Sequence, residues 1–155
     1  MKIKILLILL IGFTCAFPQE FGLGVLLDDS LYANSPTAAP LMRGDYDDLP
    51  LSASLKANAP TPGNQGPYGT CAGWSTAYAG RTILEAIRNK WTGKIVDENT
   101  FSPSFVYNQI RMTKDCDGGT SLVEALDVVR NLGAAKLDDF GYDCDREVTA
   151  IDKVK

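Results

Sequence analysis

The chain has 155 residues, 45% hydrophobic and 22% charged, an ordinary globular composition that excludes disordered, collagenous and multi-span membrane classes. Lys plus Arg is 15 against 19 Asp plus Glu, and a net charge of −4 without a basic run argues against nucleic-acid binding. There is no histidine, so these residues alone build no His-ligated metal site and no Cys–His or Ser–His dyad.

Lys2 and Lys4 precede an apolar run from Ile5 to Phe13, followed by the small residues Thr14, Cys15 and Ala16. A basic start, an apolar stretch of about nine residues and a small-residue exit describe a secretory signal over 1–16, with a buried terminal element as the alternative. The run is short of the about 20 apolar residues that a membrane span needs. The expected location is therefore secreted, periplasmic or extracellular, where disulfides persist. Loss of 1–16 leaves Cys71, Cys116 and Cys144, an odd number, so one thiol is expected to stay free, to pair between chains or to serve chemistry.

Residues 17–48 form an acidic leader: six carboxylates against Arg43. Its patch Ala33–Pro40 reads as linker, and the whole leader as a solvated spacer or a short pro-segment covering a cleft. Gly22 and Gly24 follow no strand and open no helix, so they make no phosphate loop. From Leu49 to Gly69 the density of proline and glycine predicts an extended, turn-rich approach without helix.

The pattern then turns helical. Trp74, Ala77, Leu84, Ile87 and Trp91 share one face of a helix expected to start near Thr70 or Cys71 and to end by Gly93, with Gly80 permitting close packing on that face. Ser102-Pro103 predicts the N-cap and first turn of a second helix with Phe105, Val106 and Ile110 inward. Ser121 and Glu124 form a capping box for a third, with Leu122, Ala125, Leu126, Val129 and Leu132 as its buried stripe and Gly133 as its stop. Extended chain is expected around Ala134–Lys136.

The chemistry-bearing stretch is Asn64-Gln65-Gly66-Pro67-Tyr68-Gly69-Thr70-Cys71. It places a thiol in the first turn of a long helix, where free N–H groups and the helix dipole favour an anion. Gln65, on an irregular segment six residues earlier, is able to turn its amide toward the sulfur. That amide and the Cys71 N–H would then hold the oxyanion formed when a thiolate attacks a carbonyl. A small buried hydrophobe is the alternative for Cys71, and position alone leaves both open.

These residues resemble the nucleophile region of papain-like cysteine peptidases. Phe101-Ser102-Pro103-Ser104-Phe105 is similar to the segment that starts that family's second helix. Cys116-Asp117-Gly118-Gly119 with Ser121-Leu122-Val123-Glu124 is similar to its Cys-Asn-Gly-Gly turn and following helix, and Asp139-Phe140-Gly141-Tyr142 to its Tyr-Pro-Tyr stretch. The pieces keep their order across roughly residues 49–145. The resemblance implies an α+β, papain-like fold, of which 49–155 covers mainly the helical half without the β-rich half.

It further implies Cys71 as nucleophile, Gln65 as oxyanion-hole donor, and Gly118 and Gly119 as backbone partners of a substrate peptide. It implies no cofactor and no metal. The family's usual cysteine three residues before the nucleophile is Tyr68 here, which leaves Cys144 as the expected disulfide partner of Cys116. The tryptophan that usually follows the nucleophile is Ala72, with an aromatic only at Trp74, so substrate preference does not carry over.

The family's histidine and asparagine lie about 130–150 residues beyond the nucleophile, about position 200 or later here. Asp115, Asp117 and Asp139 are poor substitutes, since an ordinary carboxyl with a pKa near ~4 is no proton donor at neutral pH. The expected function is peptide-bond hydrolysis through a thioester acyl-enzyme, on a peptide or protein substrate, by a chain nearly inert alone. The missing half is expected either to have been lost by truncation or to lie on another chain, which would then be a further partner; nucleic acid and a membrane span are not expected. The alternatives are a secreted, non-catalytic peptide-binding module or pseudo-peptidase, and an unstable remnant.

Overall fold

A computed structural model describes residues 24–36, 50–150 and 152. The expected signal segment with Cys15, residues 17–23 and 37–48 of the leader, and Leu49 lie outside the described residues.

The leader supplies a two-residue strand, β1 (Val25–Leu26), and a short helix, α1 (Asp29–Asn34). The Asp28 carboxylate caps α1 by accepting the Leu31 N–H at 2.9 Å. The expected linker patch is thereby shortened: Ala33 and Asn34 belong to the helix that Asp28 starts. From Pro50 to Gly69 the chain is irregular, as its prolines and glycines require, save one 3₁₀ turn at Lys56–Asn58. That turn falls in the longest stretch of this approach free of both residues.

Residues 71–89 form one helix, α2, made of an α turn (Cys71–Gly73), a wider π-helical stretch (Trp74–Arg81) and an α segment (Thr82–Asn89). The widening corrects the expected face. Bonds reaching back five residues rotate the side chains out of a 3.6-residue register. Ala72, Thr76, Ala77, Thr82 and Ala86 are buried, whereas Leu84 and Ile87 stand 64% and 45% exposed. Gly80 accordingly faces the Ser75 carbonyl of its own helix. Close packing occurs at Gly73, whose missing side chain admits the Pro103 carbonyl.

After a short α3 (Lys94–Asp97), α4 (Pro103–Ile110) begins as its sequence directs: the Ser102 hydroxyl accepts the Phe105 N–H at 3.2 Å, and Pro103 takes the first turn. A second strand, β2 (Thr120–Ser121), leads directly into α5 (Leu122–Asn131), capped by Ser121, and Gly133 turns the chain at φ 81°. Of the α5 stripe, Ala125 is buried and Val129 packs partly with Val128, but Leu122, Leu126 and Leu132 are exposed. The small Ala125 allows α5 to approach the core closely, leaving the leucines on its flanks; Leu122 lines a groove with Leu26, Leu27 and Leu31 of the leader. The chain at 134–136 is extended, Lys136 bridging Phe101 antiparallel.

The core joins α2, α4 and α5 through Ala72, Ala77, Phe105, Val106 and Ala125, with Phe101 and Phe140. Phe105 and Phe140 meet edge to face at 5.7 Å between ring centres. β1 pairs with β2 in parallel, Val25 beside Thr120 and Leu26 beside Ser121. The result is a mixed helical chain with one small two-stranded sheet, compatible with the α+β class. Among the described residues no helix is long and apolar enough to cross a membrane.

Candidate active site

Cys71 is the first residue of α2 and is half-buried with a free thiol. The Thr70 hydroxyl makes no cap to the helix and lies instead 2.7 Å from the Tyr142 hydroxyl. No side chain of the preceding residue therefore screens the positive end of the helix at the sulfur.

Gln65 reaches that sulfur. Its Nε2 donates to the Tyr68 carbonyl at 2.6 Å and to Cys71 Sγ at 3.0 Å. A carbonyl can only accept, so Tyr68 fixes the amide with its NH₂ group toward the thiol. The turn that brings Gln65 round depends on Gly66, at φ 67°, whose N–H donates to Asn64 Oδ1 at 2.8 Å. The pair expected from sequence, Gln65 and Cys71, is thus brought together, with the sulfur outside any sealed apolar interior.

The far end of the same loop is clamped by Asp97, which accepts the Thr61 N–H at 2.7 Å and the Thr61 hydroxyl at 2.8 Å. Tyr78 donates to the Thr61 carbonyl at 2.7 Å, and Trp74 packs over Gly63. The Thr61 N–H, and then its hydroxyl, hold the Asp97 carboxyl below its ordinary range. A depressed folded value stabilises the fold above the ordinary carboxylate range and is lost as pH falls through that folded value. Acidification from about pH 5 to about pH 3 is therefore expected to lower the urea midpoint of the native chain more than that of Asp97→Asn. Equal pH dependence in the two proteins would remove the clamp from the explanation.

The opposite wall is the segment 116–121. Cys116 and Cys144 are joined in a disulfide, and Cys116 stands at φ 64°. The Cys116 carbonyl accepts the Gly69 N–H at 2.8 Å, which ties this wall to the approach to Cys71. A Cβ on Gly69 would meet the Asp117 and Gly118 carbonyls at 2.7 and 2.8 Å, so bare backbone is needed there. The buried Tyr107 donates to the Gly118 carbonyl at 2.7 Å, and burial, raising its phenol pKa, keeps that proton in place.

Gly118 and Gly119 thus stand in the wall, next to the residue that pairs with the leader. The Gly118 carbonyl is engaged by Tyr107, and it is the Thr120 N–H that donates to an extended segment, at 3.1 Å to the Gly24 carbonyl. Asp115 accepts the Thr113 hydroxyl at 2.6 Å, which, with the Asp117 N–H, lowers its pKa. It remains an exposed anion, not a proton donor. Cys116, Cys144 and Asp145 cluster closely, but both sulfurs are in the disulfide and supply no thiolate to a metal.

The segment that occupies the cleft is the leader itself. A Cβ on Gly24 would lie 2.5 Å from the Cys71 nitrogen, 2.7 Å from its Cβ and 2.7 Å from its Sγ. Gly24 therefore lies directly on the thiol, bonded to Thr120 on the far wall, and β1 continues along β2. The sequence assigns Gly24 no role. Tyr142, Thr70 and Tyr107 were likewise unassigned, because their partners are distant in sequence.

No family model, curated protein or solved structure compared with the chain matches it.

Proposed function

We propose that this chain carries the nucleophile-bearing part of an exported, papain-like cysteine peptidase, with its leader laid across the cleft as a pro-segment. The observation that carries the reading is the Gln65 amide 3.0 Å from the half-buried Cys71 sulfur at a helix start. In the reaction, the Cys71 thiolate adds to a peptide carbonyl carbon, and the carbonyl oxygen becomes an oxyanion. In this reading the Gln65 NH₂, turning its hydrogen from the sulfur, and the Cys71 N–H donate to it. Collapse breaks the C–N bond, leaves a thioester on Cys71 and needs a proton on the departing amine. No histidine among the 155 residues delivers that proton, so the base is assigned to a group outside them.

A second reading, a module that grips an extended peptide without cleaving it, is favoured by the parallel pairing of β1 with β2. The two separate in a comparison of probes. p-Nitrophenyl acetate acylates a thiol through an oxyanion and carries its own leaving group, whereas iodoacetamide alkylates by displacement without one. The rate ratio of the two at Cys71, followed on its peptide by mass spectrometry, cancels differences in access. Gln65→Ala is expected to lower that ratio by about ten- to a hundredfold. An unchanged ratio would leave the binding module as the better reading.

A further inference from the structure

We infer that Tyr142 is a positioning residue, holding the oxyanion donor Gln65 in register with the nucleophile; this rests on the peptidase reading. The Tyr142 hydroxyl lies 2.7 Å from the Gln65 carbonyl and 2.7 Å from the Thr70 hydroxyl. It has one proton. A carbonyl cannot donate, so that proton goes to Gln65, and the Thr70 hydroxyl donates to the Tyr142 oxygen. The hydrogen bonds therefore run in one direction, from the residue preceding Cys71, through Tyr142, to the backbone of Gln65.

Tyr142 suits this role because most of its anchors lie outside the loop it holds. The next residue, Asp143, donates its N–H at 3.0 Å to the buried Ser104 hydroxyl of α4, and Cys144 is locked to Cys116. Its ring packs edge-on against Trp74 of α2, with centres 5.1 Å apart, and against Tyr68 at 6.4 Å. Trp74, Ser104 and the disulfide thus hold the ring, the ring carries the hydroxyl, and the hydroxyl holds Gln65. Without that bond the loop retains the Asp97 clamp at Thr61 and the Gly69 bond to Cys116, while Gln65 itself keeps, among the described residues, the amide's bonds to Tyr68 and Cys71.

Tyr142→Phe removes the hydroxyl and keeps the ring contacts, so the test is the acylation-to-alkylation ratio at Cys71 in the full chain. The ratio is expected to fall by about tenfold, the effect of one lost hydrogen bond. Tyr142→Phe added to Gln65→Ala is expected to lower it no further than Gln65→Ala does. A merely structural tyrosine would change both probes alike and leave the ratio where it was. An unchanged ratio in Tyr142→Phe, with a lowered one in Gln65→Ala, overturns the role of Tyr142 and spares the peptidase reading. An unchanged ratio in Gln65→Ala overturns both. If circular dichroism shows the phenylalanine variant unfolded, Thr70→Val probes the chain of bonds from its other end: a lowered ratio supports the inference, and an unchanged one overturns it.

Discussion

Replacement of Gly24 by valine is expected to raise the rate at which iodoacetamide alkylates Cys71 by about tenfold or more. The added Cβ would collide with the backbone nitrogen of Cys71 as well as with its side chain. Backbone cannot step aside cheaply, and overpacking of this kind typically costs about 1–3 kcal/mol. The leader is the weaker partner, since its sheet pairing extends over just two residues at β1. The collision is therefore expected to lift the leader rather than to deform α2, and the thiol becomes open to reagent. Gly24→Ala is expected to act in the same direction. Alkylation unchanged in both variants would mean that the leader does not restrict access to Cys71.

Loss of the Cys116–Cys144 disulfide is expected to have the largest effect on stability. The bond closes a loop with a sequence separation of 28 residues. Loop-closure entropy for that length corresponds to about 3–4 kcal/mol in the chain-entropy picture. In a chain of this size that lowers the melting temperature by about 10 °C. Cys116→Ser combined with Cys144→Ser is the cleaner form of the experiment, because it leaves Cys71 as it was. The site should feel the change too. Cys116 accepts the Gly69 N–H, and Cys144 follows Tyr142 by two residues, so both the wall of the cleft and the anchor of Gln65 lose their tether. A double-serine protein as stable as the native one would show that packing of Tyr107 and its neighbours alone holds the wall.

What the residues themselves made legible was local, whereas the pairing of Cys116 with Cys144 was an implication of the resemblance. The starts of α4 and α5 are written in Ser102-Pro103 and Ser121, because a cap is a contact between residues three apart. The turn at Gly133 and the irregular approach to Cys71 follow from backbone freedom and its loss. Gln65 and Cys71, six residues apart, are also close enough in sequence for their pairing to be foreseen.

The remaining longer-range geometry was not legible. The face of α2 shifted because the π-helical stretch at Trp74–Arg81 changes the phase between Ala77 and Ala86, and hydropathy at a fixed period does not register such a change. Leu122, Leu126 and Leu132 have the right period for a core, yet the helix turns its smaller residue, Ala125, inward. Gly24 reaches Cys71 only through the fold, and Tyr142 meets Gln65 across 77 residues. Nothing near either residue in the sequence announces its partner.

The most direct measurement is mass spectrometry of the Cys71 peptide after brief exposure of the Gly24→Val chain to p-nitrophenyl acetate. A nucleophile paired with an oxyanion donor should yield a hydroxylamine-labile acetyl group on Cys71, strongly reduced when Gln65→Ala is added. Acetylation confined to lysines, or equally abundant on Cys71 with and without Gln65, would contradict it.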